Sequence, residues 1–156
     1  MTTNTSAGPR PTGRMARACA TALAAVSAAL LPVSSADAAT LDAHVNYQKT
    51  DGWGVTQYDV RFNGTVSSDG PRNYTVKGVL DAYCHHGTIT GQSVTLGYRN
   101  WNGTWKYKSY WCTDTPVNID VRSERHENGS VELVVGATSG IANTYQYGNV
   151  EFYQIG

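Results

Sequence analysis

Apolar and polar residues alternate with a period of two along most of the chain after residue 39. This period is typical of β-strands with one buried face, because successive side chains of a strand point to opposite faces of the sheet. The clearest example is residues 91–112, where alternating segments flank Asn102-Gly103. That dipeptide favours a two-residue turn with positive φ at both positions, so the sequence predicts a β-hairpin here.

The predicted turn fixes the register of this hairpin, with Trp101 paired to Thr104 at the tip. Counting outward, one face collects the hydrophobic residues of both strands, namely Val94, Leu96, Tyr98, Trp105, Tyr107 and Trp111. The other face carries polar residues that suit a solvated surface, namely Thr95, Arg99, Lys106 and Lys108. Pattern and turn therefore agree on this pairing.

Six further strands are predicted around residues 41–47, 58–62, 74–82, 117–121, 131–135 and 145–155. We expect Asn63-Gly64 to end the second of the eight strands, and a bulge at Gly148 in the last one, where the apolar phase shifts. Core aromatics are expected on the inward phases, namely Tyr58, Phe62, Tyr74, Tyr98, Tyr107, Trp111 and Phe152. Residues 124–130 should form a longer loop or a bulge, because a two-residue turn at Asn128-Gly129 would waste an apolar face.

About eight short strands separated by turns predict an all-β fold. The expected architecture is a single small β-sandwich of mostly antiparallel strands, and a closed β-barrel is the alternative. No segment after residue 39 keeps a helical period for more than two turns, and no linker divides it. Residues 40–156 are therefore predicted to form one β-sandwich domain.

The first 39 residues have the composition of a secretory signal peptide. Three arginines precede an apolar, alanine-rich run over residues 18–31, and Ala36-Asp37-Ala38 matches an A-x-A cleavage pattern. The run is too short to span a membrane permanently. We therefore expect a secreted bacterial protein, cleaved after Ala38 or Ala39; Met15 is an alternative start.

Removal of this segment changes the charge and the cysteine count. The remaining chain has 12−3 = 9 basic and 12−1 = 11 acidic residues, a net charge near −2, so binding to nucleic acid or insertion into a membrane is not expected. Cys19 is lost with the leader, which leaves Cys84 and Cys112. Two cysteines in an exported chain usually pair, so a Cys84–Cys112 disulfide is predicted.

No catalytic or metal-binding motif is present, and no cofactor is expected. His85 and His86 are adjacent, so on a strand they would point to opposite faces and could not chelate one ion together. A glycosidase needs two carboxylates across a cleft, and Asp114 and Asp120 could meet in space, but the pattern does not require it. The chain is therefore predicted not to be an enzyme.

The aromatic residues give the strongest functional hint. Four Trp, ten Tyr and two Phe all follow the leader. Trp53 and Trp101 lie in predicted turns, and Trp105 is close to one. Such residues either cover the end of the core or contact a ligand, for which large, rigid, amphipathic rings are well suited. The predicted binding patch combines these three with hairpin-tip neighbours, namely Asn100, Asn102 and Lys106.

Three functions are consistent with these observations. The first is a non-catalytic protein-binding module: an adaptor, an inhibitor or a subunit of a larger secreted assembly such as a toxin particle, with another secreted or cell-surface protein as partner. The second is a carbohydrate-binding module that uses exposed Trp and Tyr on a polysaccharide. The third is a small secreted hydrolase.

Overall fold

The computed structural model describes residues 39–85, 91–138 and 144–156. These residues form nine strands: β1 Thr40–Thr50, β2 Thr56–Ser68, β3 Asn73–Cys84, β4 Ser93–Asn100, β5 Lys106–Trp111, β6 Val117–Arg125, β7 Ser130–Thr138, β8 Tyr145–Tyr147 and β9 Glu151–Gln154. One 3-10 turn, Cys112–Asp114, follows β5. The predicted signal peptide lies outside the described residues except for Ala39, and His86 also lies outside them.

The strands form two antiparallel sheets. The four-stranded sheet has the order β1-β2-β3-β6. The five-stranded sheet has the order β5-β4-β7, and both β8 and β9 pair with the free edge of β7. The predicted all-β sandwich is thus confirmed, in preference to the closed barrel.

The core lies between the sheets and comes from the alternation seen in the sequence. Val45, Val60, Phe62 and Leu80 are at most 2% exposed. From the second sheet, the inward positions of β4 and β7 complete this core. Burial of such aliphatic and aromatic side chains is the main stabilising term of a sandwich of this kind.

The predicted disulfide is confirmed. Cys84 ends β3 in one sheet and Cys112 follows β5 of the other, with a Cα–Cα distance of 6.4 Å. The bond therefore connects the two sheets covalently at one end of the sandwich. Among the residues that the structure describes, no helix is long and apolar enough to cross a membrane.

The predicted end of the second strand at Asn63-Gly64 is wrong. β2 continues to Ser68, and Gly64 pairs with Gly78 of β3 in mid-strand. A Cβ atom at Gly64 would lie 2.6 Å from the Cα of Gly78, so these strands approach too closely for a side chain. The glycine here serves close backbone approach and not a turn.

The predicted hairpin exists, but its register is shifted by one residue. Tyr98 pairs with Lys106 and Gly97 with Tyr107. Residues 101–105 form the connection: Gly103 N–H donates to Asn100 O at 2.9 Å, and of the Asn-Gly pair only Asn102 has positive φ, at 61°. The turn is therefore not the two-residue type. Because side chains alternate, this shift exposes Tyr107 and Trp111, which were predicted to be buried.

The structure also tests two predictions for the C-terminal part of the chain, the loop at residues 124–130 and the last strand. Residues 126–129 connect β6 of one sheet to β7 of the other, which explains why a tight hairpin at Asn128-Gly129 fits the pattern poorly. The last predicted strand is not one strand with a bulge at Gly148: residues 148–150 interrupt it and separate β8 from β9. However, Phe152 points outward and is 63% exposed, while Ile155 is buried, so the predicted core position of Phe152 is wrong.

Candidate binding surfaces

The structure does not bring all the predicted binding residues together. Trp53 lies in the β1–β2 turn, close to the disulfide end of the sandwich, where Tyr58 pairs with Cys84. Trp101 lies at the opposite end, where its N–H donates to Ser130 O at 3.2 Å as β7 begins. Trp53 therefore cannot share a patch with Trp101, although both lie in turns as predicted.

The two turn tryptophans are presented differently. Trp53 is 93% exposed, on a turn held by the Asp51 carboxylate, which accepts the N–H groups of Trp53 and Val55 at 2.9 Å each. Trp101 is 52% exposed at the hairpin tip. Neither ring covers the core, so both remain available to a ligand, and their predicted role in binding stays a prediction.

Trp105 begins an aromatic surface on the outer side of the five-stranded sheet. The Arg99 guanidinium lies 4.5 Å from the centre of its ring, a cation–π distance. Arg99 in turn binds Glu132 of β7, with Nη2 and Oε2 2.8 Å apart. Glu132 is only 2% exposed, so this pair fixes the position of the Trp105 ring from below.

A row of aromatic rings crosses this sheet from β5 to β8. Ring centres are separated by 6.1 Å between Trp105 and Tyr107, by 5.8 Å between Tyr107 and Tyr147, and by 6.1 Å between Tyr147 and Tyr145. Aromatic pairs at such spacings attract each other beyond simple area burial. The Tyr145 hydroxyl is also 2.6 Å from Ser93 Oγ, which anchors the β8 end of the row.

Two glycines in the centre of the sheet make room for this row. A Cβ atom at Gly97 would lie 2.8 Å from the Tyr107 ring, and one at Gly136 would lie 2.7 Å from the Tyr147 ring. The rings therefore lie directly over the backbones of β4 and β7. Burial, together with the nearby Tyr107 hydroxyl, raises the pKa of Tyr147 to about 12.

Other exposed rings border this row. Trp111 is 58% exposed on β5, and Phe152 is 63% exposed on β9 opposite Glu132. We call the six residues together the aromatic face: Trp105, Tyr107, Trp111, Tyr145, Tyr147 and Phe152. Of these, the sequence-based patch included only Trp105. The sequence did carry one signal for this face, namely the mid-strand glycines Gly97 and Gly136. A glycine inside a strand usually marks the close approach of another group.

Asn100 and Lys106, two other predicted binding residues, line a cleft of about 540 Å³ at the hairpin-tip end. Lys106 Nζ donates to Glu124 Oε2 at 2.5 Å across the gap between the sheets. That hydrogen bond raises the pKa of Lys106. Asn102 is exposed at the tip beside this cleft but does not line it.

The two candidate carboxylates, Asp114 and Asp120, lie on different elements of the described chain. Asp120 lies on β6 and forms an ion pair with Arg122 of the same strand, which lowers the pKa of Asp120. Asp114 lies in the 3-10 turn that precedes this strand. Within residues 39–85, 91–138 and 144–156, no three His, Cys, Asp or Glu side chains are grouped to hold a metal ion.

Comparison with known proteins does not add a family. No family model, no curated protein and no solved structure matches this chain. Its function must therefore be argued from the surfaces described above.

Proposed function

We propose that this domain is a non-catalytic, secreted bacterial binding module that engages another secreted or cell-surface protein through the aromatic face. The observation that carries this proposal is the ordered row of rings over the five-stranded sheet. Apolar rings of this size are normally buried, and contiguous exposed ones mark interaction surfaces. Trp and Tyr are also enriched among the residues that dominate protein interfaces.

The order of the face supports a preformed interface. Stacking between neighbouring rings and the Arg99–Glu132 pair hold Trp105 and Tyr107 in place. A partner would therefore lose little side-chain entropy on these residues when it binds. The flanking Phe152 has no polar group, and burying it against an apolar partner surface is favourable by itself.

Secretion is supported by the leader and by the disulfide. A bond between Cys84 and Cys112 persists in oxidising compartments and is uncommon in the cytosol. A non-catalytic role is supported by the engagement of Asp120 with Arg122, because a carboxylate with a lowered pKa is a poor general acid at neutral pH.

Polysaccharide is the second candidate, because one observation favours it. The rings of Trp105 and Tyr107 are inclined by only 24°, and those of Tyr145 and Tyr147 by 28°. Near-parallel rings at regular spacing suit the C–H faces of successive sugar units. Phe152 favours protein over saccharide, since a sugar surface is largely hydroxylated.

The test compares variants that remove exposed rings and so leave the core intact. Phe152→Ala and Trp111→Ala alter the aromatic face, and Trp53→Ala, in the β1–β2 turn of the other sheet, is the matched control. The partner is first isolated from producer culture supernatant on the immobilised protein, then purified and titrated by calorimetry. We expect each face variant to weaken binding by about thirtyfold, or 2 kcal/mol, with an unchanged melting temperature.

Three results would contradict the proposal. One is equal affinity of the Phe152→Ala and unmodified proteins. Another is a loss of binding in Trp53→Ala alone, which would assign the surface to the β1–β2 turn. The third is retention of the protein on polysaccharide through these same rings with no protein partner, which would establish the second candidate.

A further inference from the structure

The strand β5 lies at the edge of the five-stranded sheet, and among the described strands it pairs only with β4. Two backbone hydrogen bonds at the ends of β4 show which residues of β5 point to it. At one end, the N–H of Cys112 donates to Gln92 O at 3.0 Å. At the other end, the N–H of Trp101 donates to Ser130 O at 3.2 Å, on the side of β4 that faces β7.

These two bonds fix the direction of every backbone group of β5. Facing residues of an antiparallel pair alternate between those that exchange N–H···O=C bonds and those that do not. Counting from Cys112, the residues that bond to β4 are Lys106, Lys108 and Tyr110. The backbone N–H and C=O groups of the other three, Tyr107, Ser109 and Trp111, therefore point away from β4, toward the free edge. All three residues are exposed.

The other sheet edges in the described part of the chain are covered, interrupted or short. On β1, the hydroxyl of Tyr153 accepts the N–H of His44 at 3.2 Å and donates to its C=O at 3.4 Å. On β6, the pairing with β3 is irregular near Ser123, which has a φ of 53°. β8 and β9 have only three and four residues. Such features usually keep a sheet edge from pairing, whereas β5 keeps a regular register over six residues.

β5 is also opposite in charge to the domain that contains it. It carries two lysines and no carboxylate, whereas residues 40–156 have 9 basic and 11 acidic groups. Lys106 binds Glu124 of the other sheet, and Lys108 forms no ion pair with a described residue. Lysines on an edge oppose pairing with an identical strand, because they bring like charges together. The same lysines favour a strand that carries carboxylates.

Building on the proposed function, we propose that the protein partner adds an extended segment to β5 as a further antiparallel strand. This segment alternates apolar and acidic residues. Its apolar residues face Tyr107, Ser109 and Trp111 and lie on the same side of the sheet as the aromatic face. Its acidic residues face Lys106 and Lys108 on the opposite side, where oppositely charged cross-strand neighbours attract each other.

Backbone and side chains have separate roles in this mode of binding. The hydrogen bonds to Tyr107, Ser109 and Trp111 supply affinity, and the side chains on the two sides of the strand supply specificity. The ring of Trp111 is 58% exposed and that of Tyr107 is 46% exposed, so both have apolar surface to cover. The added strand would make β5 an inner strand and would extend the aromatic face beyond the present edge.

The test is an NMR titration of the ¹⁵N-labelled protein with the synthetic peptide N-acetyl-Val-Thr-Val-Glu-Val-Glu-amide. In the antiparallel register its valines face Trp111, Ser109 and Tyr107, and its glutamates face Lys108 and Lys106. We expect saturable shifts of the amide signals of the three valine-facing residues, and slower exchange of their amide protons with deuterium. The same peptide with lysine in place of both glutamates should bind about tenfold more weakly.

Ser109→Pro tests the backbone contact directly. It removes the central N–H group from the free edge and leaves the bonds to β4, because proline is tolerated on an edge strand where its nitrogen faces away from the ladder. The matched control is Ser109→Ala, which loses the hydroxyl that donates to Thr95 Oγ1 at 3.0 Å but keeps the N–H group. The acidic peptide should bind Ser109→Pro about tenfold more weakly and Ser109→Ala within about twofold of the unmodified protein.

Lys108→Glu gives a second test that does not depend on the folding of a proline variant. It should weaken binding of the acidic peptide and strengthen binding of the lysine peptide. Equal binding of the two peptides, no saturable shift in β5, or unchanged affinity of folded Ser109→Pro would overturn the proposal. So would a dimer of the protein that Ser109→Pro dissociates, because the strand at β5 would then be a second copy. The proposed function is tested separately, through Phe152 on β9 at the other edge of the sheet.

Discussion

Breaking the Cys84–Cys112 bond should destabilise the domain by an amount that follows from its loop length. The two cysteines are separated by 28 residues. On the chain-entropy model, closing a loop of about this size reduces the entropy of the unfolded chain enough to stabilise the fold by about 3.6 kcal/mol at 25 °C. Small domains have a total stability of only about 5–15 kcal/mol, so the effect is a large fraction of the whole.

The same figure predicts a shift in melting temperature. The unfolding entropy is about 2.1 cal/mol/K per residue, or about 0.25 kcal/mol/K for a domain of roughly 117 residues. A loss of about 3.6 kcal/mol therefore lowers the melting temperature by about 15 °C. The urea dependence of unfolding should also steepen after reduction, because the unfolded chain without the cross-link exposes more surface.

The assay compares the protein refolded with and without a phosphine reductant, using urea unfolding followed by tryptophan fluorescence. Reduction leaves every side chain in place, so no cavity contributes to the difference. The control is the Cys84→Ala, Cys112→Ala double variant, whose stability should not respond to the reductant. A difference below about 1 kcal/mol between oxidised and reduced protein would refute the reasoning, because the bond would then not restrict the unfolded chain.

Two further predictions concern the contact between Gly64 and Gly78 and the aromatic face. Gly64→Ala should lower the free energy of unfolding, measured in urea, by about 2 kcal/mol or more, because its Cβ would meet the β3 backbone. Gly52→Ala, where the added Cβ has no atom within 4 Å, should change that free energy by no more than about 0.5 kcal/mol. Equal effects of the two variants would contradict the close approach of β2 and β3. The pKa of Tyr147, raised to about 12 by burial, exceeds the value near 10 of an unfolded tyrosine, so its contribution to stability is complete below pH 10 and is lost between about pH 10 and 12. Melting curves over that range should show a steeper loss for the unmodified protein than for Tyr147→Phe, and identical slopes would show that the neighbouring side chains do not shield this hydroxyl from water.

Most of the fold could be predicted because alternation reports the buried face of each strand. Ala43, Val60 and Ile119 are all buried on the phases that the sequence indicated. The disulfide followed from the compartment and the cysteine count. Strand order could not be predicted from alternation. For example, β4 pairs with β7, which is far away in the sequence.

The candidate site was less accessible to sequence reasoning. Asn102-Gly103 suggested a two-residue turn, but Asn102 alone adopts positive φ, and the hairpin shifts by one residue. A shift of one residue inverts every side chain of a strand, so Tyr107 moved from the predicted core to the surface. The cleft at the hairpin-tip end was missed for another reason: Lys106 and Glu124, which line it, meet only across the gap between the two sheets, and no local pattern indicates such a contact.

The aromatic face also affects how fast the backbone amide protons of this sheet should exchange with solvent. Beneath the rings, residues 94–98 of β4 and residues 131–138 of β7 are buried, on both sides of the sheet. Their amide protons can reach water only when the rings or the opposite sheet move away, so they should exchange with deuterium most slowly of all, near the rate of global unfolding. The edge strand β5, mostly exposed along its length, should exchange much faster. A partner seated on the rings would then protect the edge strands β5, β8 and β9 and leave β4 unchanged, so the exchange footprint would fall on the two edges of the sheet.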